Sequence, residues 1–196
     1  MDKEWLKKLY LKHKKSSFEM SKIFNCSEHK INYWLAKYNI AKRSISEAIY
    51  QKNNPNGDPF KISPTNTIKD SKLLGLGLGL YWGEGNKKNK NSIRLGNSDP
   101  RIIKKFTEFL IKIFRINKEK LRFGLKIFYD MSEKETLNFW LKELEKFGIN
   151  KSQFFRVTIT PSRSIGNYRE KSKFGVMTVH FANTKLKNII DNMLPL

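Results

Sequence analysis

The chain has 196 residues, with 39 lysines and arginines against 18 aspartates and glutamates, a formal net charge of +21 at pH 7. An excess of that size costs self-repulsion in a compact fold and points to a polyanionic partner, either nucleic acid or an anionic membrane surface. Hydrophobic residues make up 39% and aromatics 13%, enough for a packed core, which excludes a wholly disordered chain.

Trp5, Leu6, Leu9 and Tyr10 form the first helical stripe. Ser16-Ser17-Phe18-Glu19 then fits a capping box, Ser16 capping the backbone and Glu19 reaching back to it, and Met20, Ile23 and Phe24 follow at helical spacing. Asn25-Cys26-Ser27 breaks that helix, and Ser27 is the cap of a third whose buried stripe is Ile31, Trp34, Leu35 and Tyr38. Two short helices joined by a three-residue turn, behind a support helix, make a helix-turn-helix layout. The outward residues of the third helix are Glu28, His29, Lys30, Asn32, Tyr33 and Lys37, types that read base edges and phosphates. Ser16 to Ser44 resembles the small helix-turn-helix modules in which a basic tail after the recognition helix lies along the DNA; Lys42 and Arg43 would be that tail. Cys26 is the only cysteine, and His13, His29 and His180 stand far apart in sequence. An intrachain disulfide is thereby excluded, no structural zinc is expected, and a reducing, cytoplasmic setting is expected.

Residues 50–70 carry three prolines among Asn, Gly, Asp, Ser and Thr with little periodicity. They are expected to be a linker between a module over 1–49 and a second domain over 71–196.

The second domain opens with SKLLGLGLGLYWGEGN, Ser71 to Asn86. Its apolar run, Leu73 to Trp82, is about half of the roughly 20 residues that a membrane span needs, so no membrane insertion is expected. Gly75, Gly79 and Gly83 recur every four residues and fall on one helical face, at about 1 kcal/mol each relative to alanine. Such a stripe makes sense where a second helix backbone approaches closely, such as the same helix of another copy. The glycine spacing does not match a dinucleotide-binding loop. Glu84 follows at the C-terminal end, where the helix dipole disfavours a carboxylate, so a bound cation is one reason for its presence.

LGLYWGEG resembles the motif of the LAGLIDADG homing endonucleases and maturases, with Gly79, Leu80, Glu84 and Gly85 on its internal glycine, the following leucine, the metal-binding acid and the terminal glycine. The continuation SIRLGNSDPRIIKKFTEFL looks like the family's strand-then-helix. The resemblance implies that two such helices pack side by side and that their acids hold divalent cations over the scissile phosphates. One copy of the motif therefore implies a homodimer with Gly75, Gly79 and Gly83 at its interface. Glu84, with Gly83 beside it, would be the metal site for Mg2+ or another divalent cation, and the activity would be site-specific double-stranded DNA cleavage. The family's catalytic basic residue is assigned to Lys126. Trp82 stands where the motif has its first acid, which is not the metal ligand. Two alternatives share the resemblance: a non-catalytic DNA-binding transcriptional regulator, and an RNA-binding intron maturase.

Beyond the motif, helical stripes are expected at Ile102, Ile103, Phe106, Phe109, Leu110 and Ile113, at Leu137, Trp140, Leu141, Leu144 and Phe147, and at Leu186, Ile189, Ile190 and Met193. Period-two strands are expected at Ser92 to Asn97, at Leu121 to Tyr129, at Phe155, Val157 and Ile159, and at Met177, Val179 and Phe181. Their common polar face carries Arg94, Arg122, Lys126, Arg156, Thr158 and His180 without an acid, as a sheet lying on DNA requires. The loops NKKNKN from Asn86 and SRSIGNYREKSK from Ser162 extend that basic surface. The expected fold class is α+β: an N-terminal helical helix-turn-helix module followed by a LAGLIDADG-like mixed α/β domain with a DNA-binding antiparallel sheet. An additional strand and helix between Leu121 and Gly148 depart from the family's usual order.

Overall fold

The computed structural model describes residues 1–161 and 172–195. It divides into two compact units, Met1–Asp58 and Pro59–Leu196, so the border falls inside the stretch expected as a linker. Parts of that stretch are ordered within one unit or the other. A helix, α4 (Ile45–Asn53), runs into it from the first unit. In the second, Phe60 is buried, the Lys61 and Ser63 amides donate to the Phe114 and Ile113 carbonyls (2.8 Å each), and the Asn117 amide donates to the Pro59 carbonyl (2.7 Å).

In the first unit, α1 (Lys3–Lys7) is capped by the Asp2 carboxylate on the Trp5 amide and widens into π-helical turns over Lys8–Lys12. The capping box opens α2 (Ser17–Ile23): the Glu19 amide donates to Ser16 Oγ (3.1 Å) and the Ser16 amide to the Glu19 carboxylate (2.8 Å). That amide bond holds the Glu19 carboxyl below its ordinary value. Asn25 turns the chain with φ 45°, a conformation asparagine tolerates well, and Ser27 caps α3 (Glu28–Lys37). Leu6, Leu9, Tyr10, Met20, Ile31, Leu35 and Ile40 form the core of this unit. Trp5 and Ile23, expected in the buried stripes, are exposed: helices this short bury one narrow stripe, and these two positions lie off it. None of the side chains of α4 is buried.

The second unit is α+β. Its elements are α5 (Ile68–Glu84), β1 (Ile93–Asn97), α6 (Pro100–Ile113), β2 (Leu121–Phe128), α7 (Glu133–Leu144), β3 (Thr158–Thr160), β4 (Val176–Phe181) and α8 (Thr184–Asn192). The sheet order is β1-β4-β2-β3. β4 pairs antiparallel with both β1 and β2, but β3 runs parallel to β2, so the sheet is mixed and not wholly antiparallel. Alternation is strict in β1, β2 and β4: Ile93, Leu95, Leu121, Phe123, Leu125, Ile127, Met177, Val179 and Phe181 are all buried. They pack with Ile103, Phe106, Phe109, Leu110 and Ile113 of α6, Leu137, Trp140 and Leu144 of α7, and Leu186 and Ile190 of α8 in one core.

The expected strand at Phe155, Val157 and Ile159 is corrected. Only Thr158–Thr160 is extended in the sheet, and Phe155 and Ile159 are exposed. Phe154 takes the inward place, bridging to Phe123 in parallel with rings 5.4 Å apart, which turns Phe155 to the other face; Val157 still packs on the core, and Ile159, level with the buried Ile127, is exposed because β3 is an edge strand. Met193, the residue just past α8, is exposed, whereas Lys187 within α8 is fully buried on the apolar side. None of the described helices is long and apolar enough to cross a membrane.

Candidate functional site

Thr67 caps α5, accepting from the Asp70 amide (3.1 Å). Leu76 and Trp82 are exposed along it, and Gly75, Gly79 and Gly83 have open space where a Cβ would stand. Gly77, on the opposite side, serves the chain's own packing: a Cβ there would lie 2.2 Å from the buried Phe109 ring. The Gly85 amide makes the last helical bond, to the Tyr81 carbonyl (2.9 Å), and the helix ends there because Gly85 itself turns extended and bridges Leu95. A side chain at Gly85 would collide with Tyr81. The next residue ties the helix end to the sheet, the Asn86 amide donating to the Arg94 carbonyl at 2.9 Å.

Glu84 therefore stands two residues before a bond to the strand position of Arg94, with its side chain exposed to solvent. The cation that a helix C-terminus favours is already supplied in part by the chain, since Lys87 Nζ donates to the Trp82 carbonyl. Below the helix end, Tyr81 is buried, stacks on Phe106 (5.9 Å) and donates its hydroxyl to the Asn86 carbonyl (3.2 Å). Lys187 Nζ lies 5.6 Å from the Tyr81 ring centre and is bonded to Asp191. Burial, with Asp191 adding to it, pushes the Tyr81 phenol well above its usual range.

The register aligns the residues of the open sheet face. Arg94 of β1, His180 of β4 and Arg122 of β2 form one cross-strand row, and Gly96, Thr178 and Gly124 the next. No acid occurs on any of the four strands. Arg94 Nε donates to Ser92 Oγ (2.7 Å), and Arg122 Nη1 to the Glu119 and Leu121 carbonyls, which leaves further donors on each guanidinium. Burial first, and the Arg94 charge second, hold the His180 imidazole below its ordinary pKa. Lys126, paired with Thr158 of β3, is exposed, as are Thr158 and Arg156. Lys126 is not brought to Glu84: it lies two strands and three residues from the row bridged to the helix end, about 14 Å by strand spacing and rise. The cation joined to that end is Arg94.

In the first unit, Glu28, His29, Lys30, Tyr33, Lys37 and Lys42 are exposed. Asn32 and Arg43 are engaged internally. Asn32 accepts from Ser17 Oγ (2.9 Å), tying α3 to α2. Arg43 lies 4.1 Å over the Tyr10 ring, and its guanidinium donates to the Lys14 and Lys15 carbonyls and to Gln51. In the 86–91 loop Asn89 Oδ1 accepts from the Asn91 and Ser92 amides, while Ser162 to Lys171 of the second basic loop lie outside the described residues.

Among the described residues no group of three or more His, Cys, Asp and Glu side chains could hold a metal ion. The Glu84 oxygens and the Gly83 carbonyl, one of the last four of α5 without a partner inside the helix, are hard donors of the kind magnesium prefers. One chain thus supplies a single carboxylate, too few donors to fit the ion alone. Compared with known families, characterised proteins and solved structures, the chain matches none.

Sequence reasoning missed Gly77, Lys87 and Lys187. Gly77 was legible in principle, since it falls on the face opposite Gly75 and Gly79. Lys87 was legible as a base just beyond a helix C-terminus. Nothing in the sequence marks Lys187 as buried.

Proposed function

We propose that the protein is a LAGLIDADG-like, site-specific double-stranded DNA endonuclease acting as a homodimer, with the first unit as a helix-turn-helix module. The observation that carries this reading is the end of α5, where exposed Glu84 stands two residues from the hydrogen bond between Asn86 and the Arg94 carbonyl. A free carboxylate beside an acid-free cationic sheet face is the pairing that metal-assisted phosphodiester cleavage needs.

In this reading Arg94, Arg122, Lys126 and Arg156 contact phosphates or guanine edges, with Thr158 and His180 adding hydrogen bonds. Lys30, Lys37 and Lys42 bind phosphates from the first unit, while His29 and Tyr33 face the bases. The uncovered face at Gly75, Gly79 and Gly83 receives the same helix of a second copy, which brings two Glu84 carboxylates together. Magnesium held between them, with the Gly83 carbonyls, would supply Lewis-acid stabilisation of the phosphate charge.

The test is cleavage of a plasmid library of random sites with magnesium. Wild-type protein is expected to nick or cut, and Glu84→Gln to bind equally well and leave the DNA intact. Wild-type protein that binds duplex DNA but leaves it intact whichever divalent cation is supplied refutes cleavage. The non-catalytic regulator, favoured by the single carboxylate per chain, would then stand. Preference for structured RNA over duplex DNA would favour the maturase instead.

A further inference from the structure

Phe155 occupies a place that its neighbours do not explain. Phe154 makes the core contact with Phe123, and the Phe155 amide donates to the Phe123 carbonyl (2.8 Å), which leaves the Phe155 ring on the opposite, cationic face. The ring is 49% exposed and stands perpendicular to His180 (89°, 5.4 Å between centres). Gly124 lies beside both. A methyl group there would sit 3.5 Å from His180 Nε2 and 3.9 Å from Phe155 Cδ2, in ordinary contact, so packing does not demand glycine. Glycine weakens a strand interior and often marks a close approach by another molecule. Around this shallow space lie Arg94 and Arg122 in the row of His180, Thr178 in the next, and Lys126 farther along β2.

An apolar ring surrounded by donors, on strands that carry no acid, is complementary to a polyanion that carries an apolar feature among acceptors. Duplex DNA has one: in the major groove the thymine C5-methyl lies beside base acceptors. The contacting group, β4 with His180, β2 with Gly124 and the Phe155 segment bonded to β2, spans about 10 Å, against a groove about 12 Å wide. Resting on the DNA-binding reading above, we propose that Phe155 is a specificity-determining residue that packs against a thymine methyl in the major groove, its ring steadied by His180 with Gly124 leaving room for the base edge.

Full-length protein is used to select binding sites from a random duplex library, and the best site is remade with each thymine replaced singly by deoxyuridine, which removes only the methyl. At one thymine per half-site, wild-type affinity should fall roughly fourfold, the value of one buried methyl. Phe155→Ala should bind the thymine and uracil sites equally. Arg122→Gln should weaken both while keeping the ratio between them. Gly124→Val, which fills the space and leaves the ring in place, should also abolish the thymine preference. Indifference of the wild type to uracil at every position, or a thymine preference surviving in Phe155→Ala, overturns the proposal and leaves duplex binding intact. Binding restricted to single strands or RNA overturns both this inference and the reading on which it rests.

Discussion

The glycines of α5 predict opposite effects for the same substitution. Gly77→Ala would place a methyl 2.2 Å from Phe109 Cγ and Cδ2, the rigid middle of a ring, and ordinary contact begins at 3.4 Å, so ring or helix must retreat by about 1.2 Å. Phe109 cannot move freely: it is fully buried, with Phe106 and Phe114 at 5.7 and 5.2 Å. Overpacking typically costs about 1–3 kcal/mol, and a clash this deep into a rigid ring stands at or above the top of that range; set against about 1 kcal/mol of helix propensity returned by alanine, the net loss is about 2 kcal/mol or more. Gly75→Ala and Gly79→Ala meet nothing within 4 Å and should each gain up to about 1 kcal/mol in the isolated chain. If α5 pairs with a second α5, Gly79→Ala should at the same time weaken self-association. Urea denaturation at a concentration where the protein is monomeric measures the first effect, and sedimentation with and without DNA the second. A Gly77→Ala protein as stable as wild type would refute the packing argument. Equal self-association by the wild type and Gly79→Leu, or a monomer both free and on DNA, would refute the paired-helix site.

Two further predictions concern charge. The Lys187 side chain is fully buried and its partner Asp191 is 35% exposed, so Asp191→Asn, which strands an ammonium in the core, should cost about 3 kcal/mol. Lys187→Met should cost less, since Asp191 is able to turn to solvent; the reverse order of urea midpoints would refute this account. Hydrogen bonds from Lys112 (2.7 Å) and Lys105 (2.9 Å) hold the Glu108 carboxyl down at about 2, against an ordinary 4.5. The folded value is the lower one, so this stabilisation is complete above 4.5 and is lost as pH falls from there toward 2. Glu108→Gln should flatten that part of the midpoint-versus-pH curve, and a curve of unchanged slope would contradict the assignment.

What the sequence determined by itself is local. Ser16 with Glu19, Ser27 and the glycines flanking Glu84 act within a few residues, so the caps of α2 and α3 and the end of α5 are legible in the text of the chain. The stripe of α6 and the alternation in β1, β2 and β4 are legible too, because periodic burial repeats along a single element. The cationic face follows from that alternation once Arg94, His180 and Arg122 are known to be neighbours, and their neighbourhood is a matter of strand order.

Contacts between distant segments decided the rest. Whether β3 runs parallel or antiparallel to β2 depends on the path of the intervening chain, which includes α7. The facing of Phe155 depends on which of two adjacent phenylalanines reaches Phe123, a choice to which period-two reading is blind. Arg43 binds carbonyls of Lys14 and Lys15, some thirty residues away, and so differs from Lys42 although both look like one basic tail. Gly77 and Gly79 are chemically identical and two residues apart, but one faces Phe109 and the other open space. A side chain's chemistry is written in the sequence, whereas what it meets is set by packing against residues the local pattern does not contain.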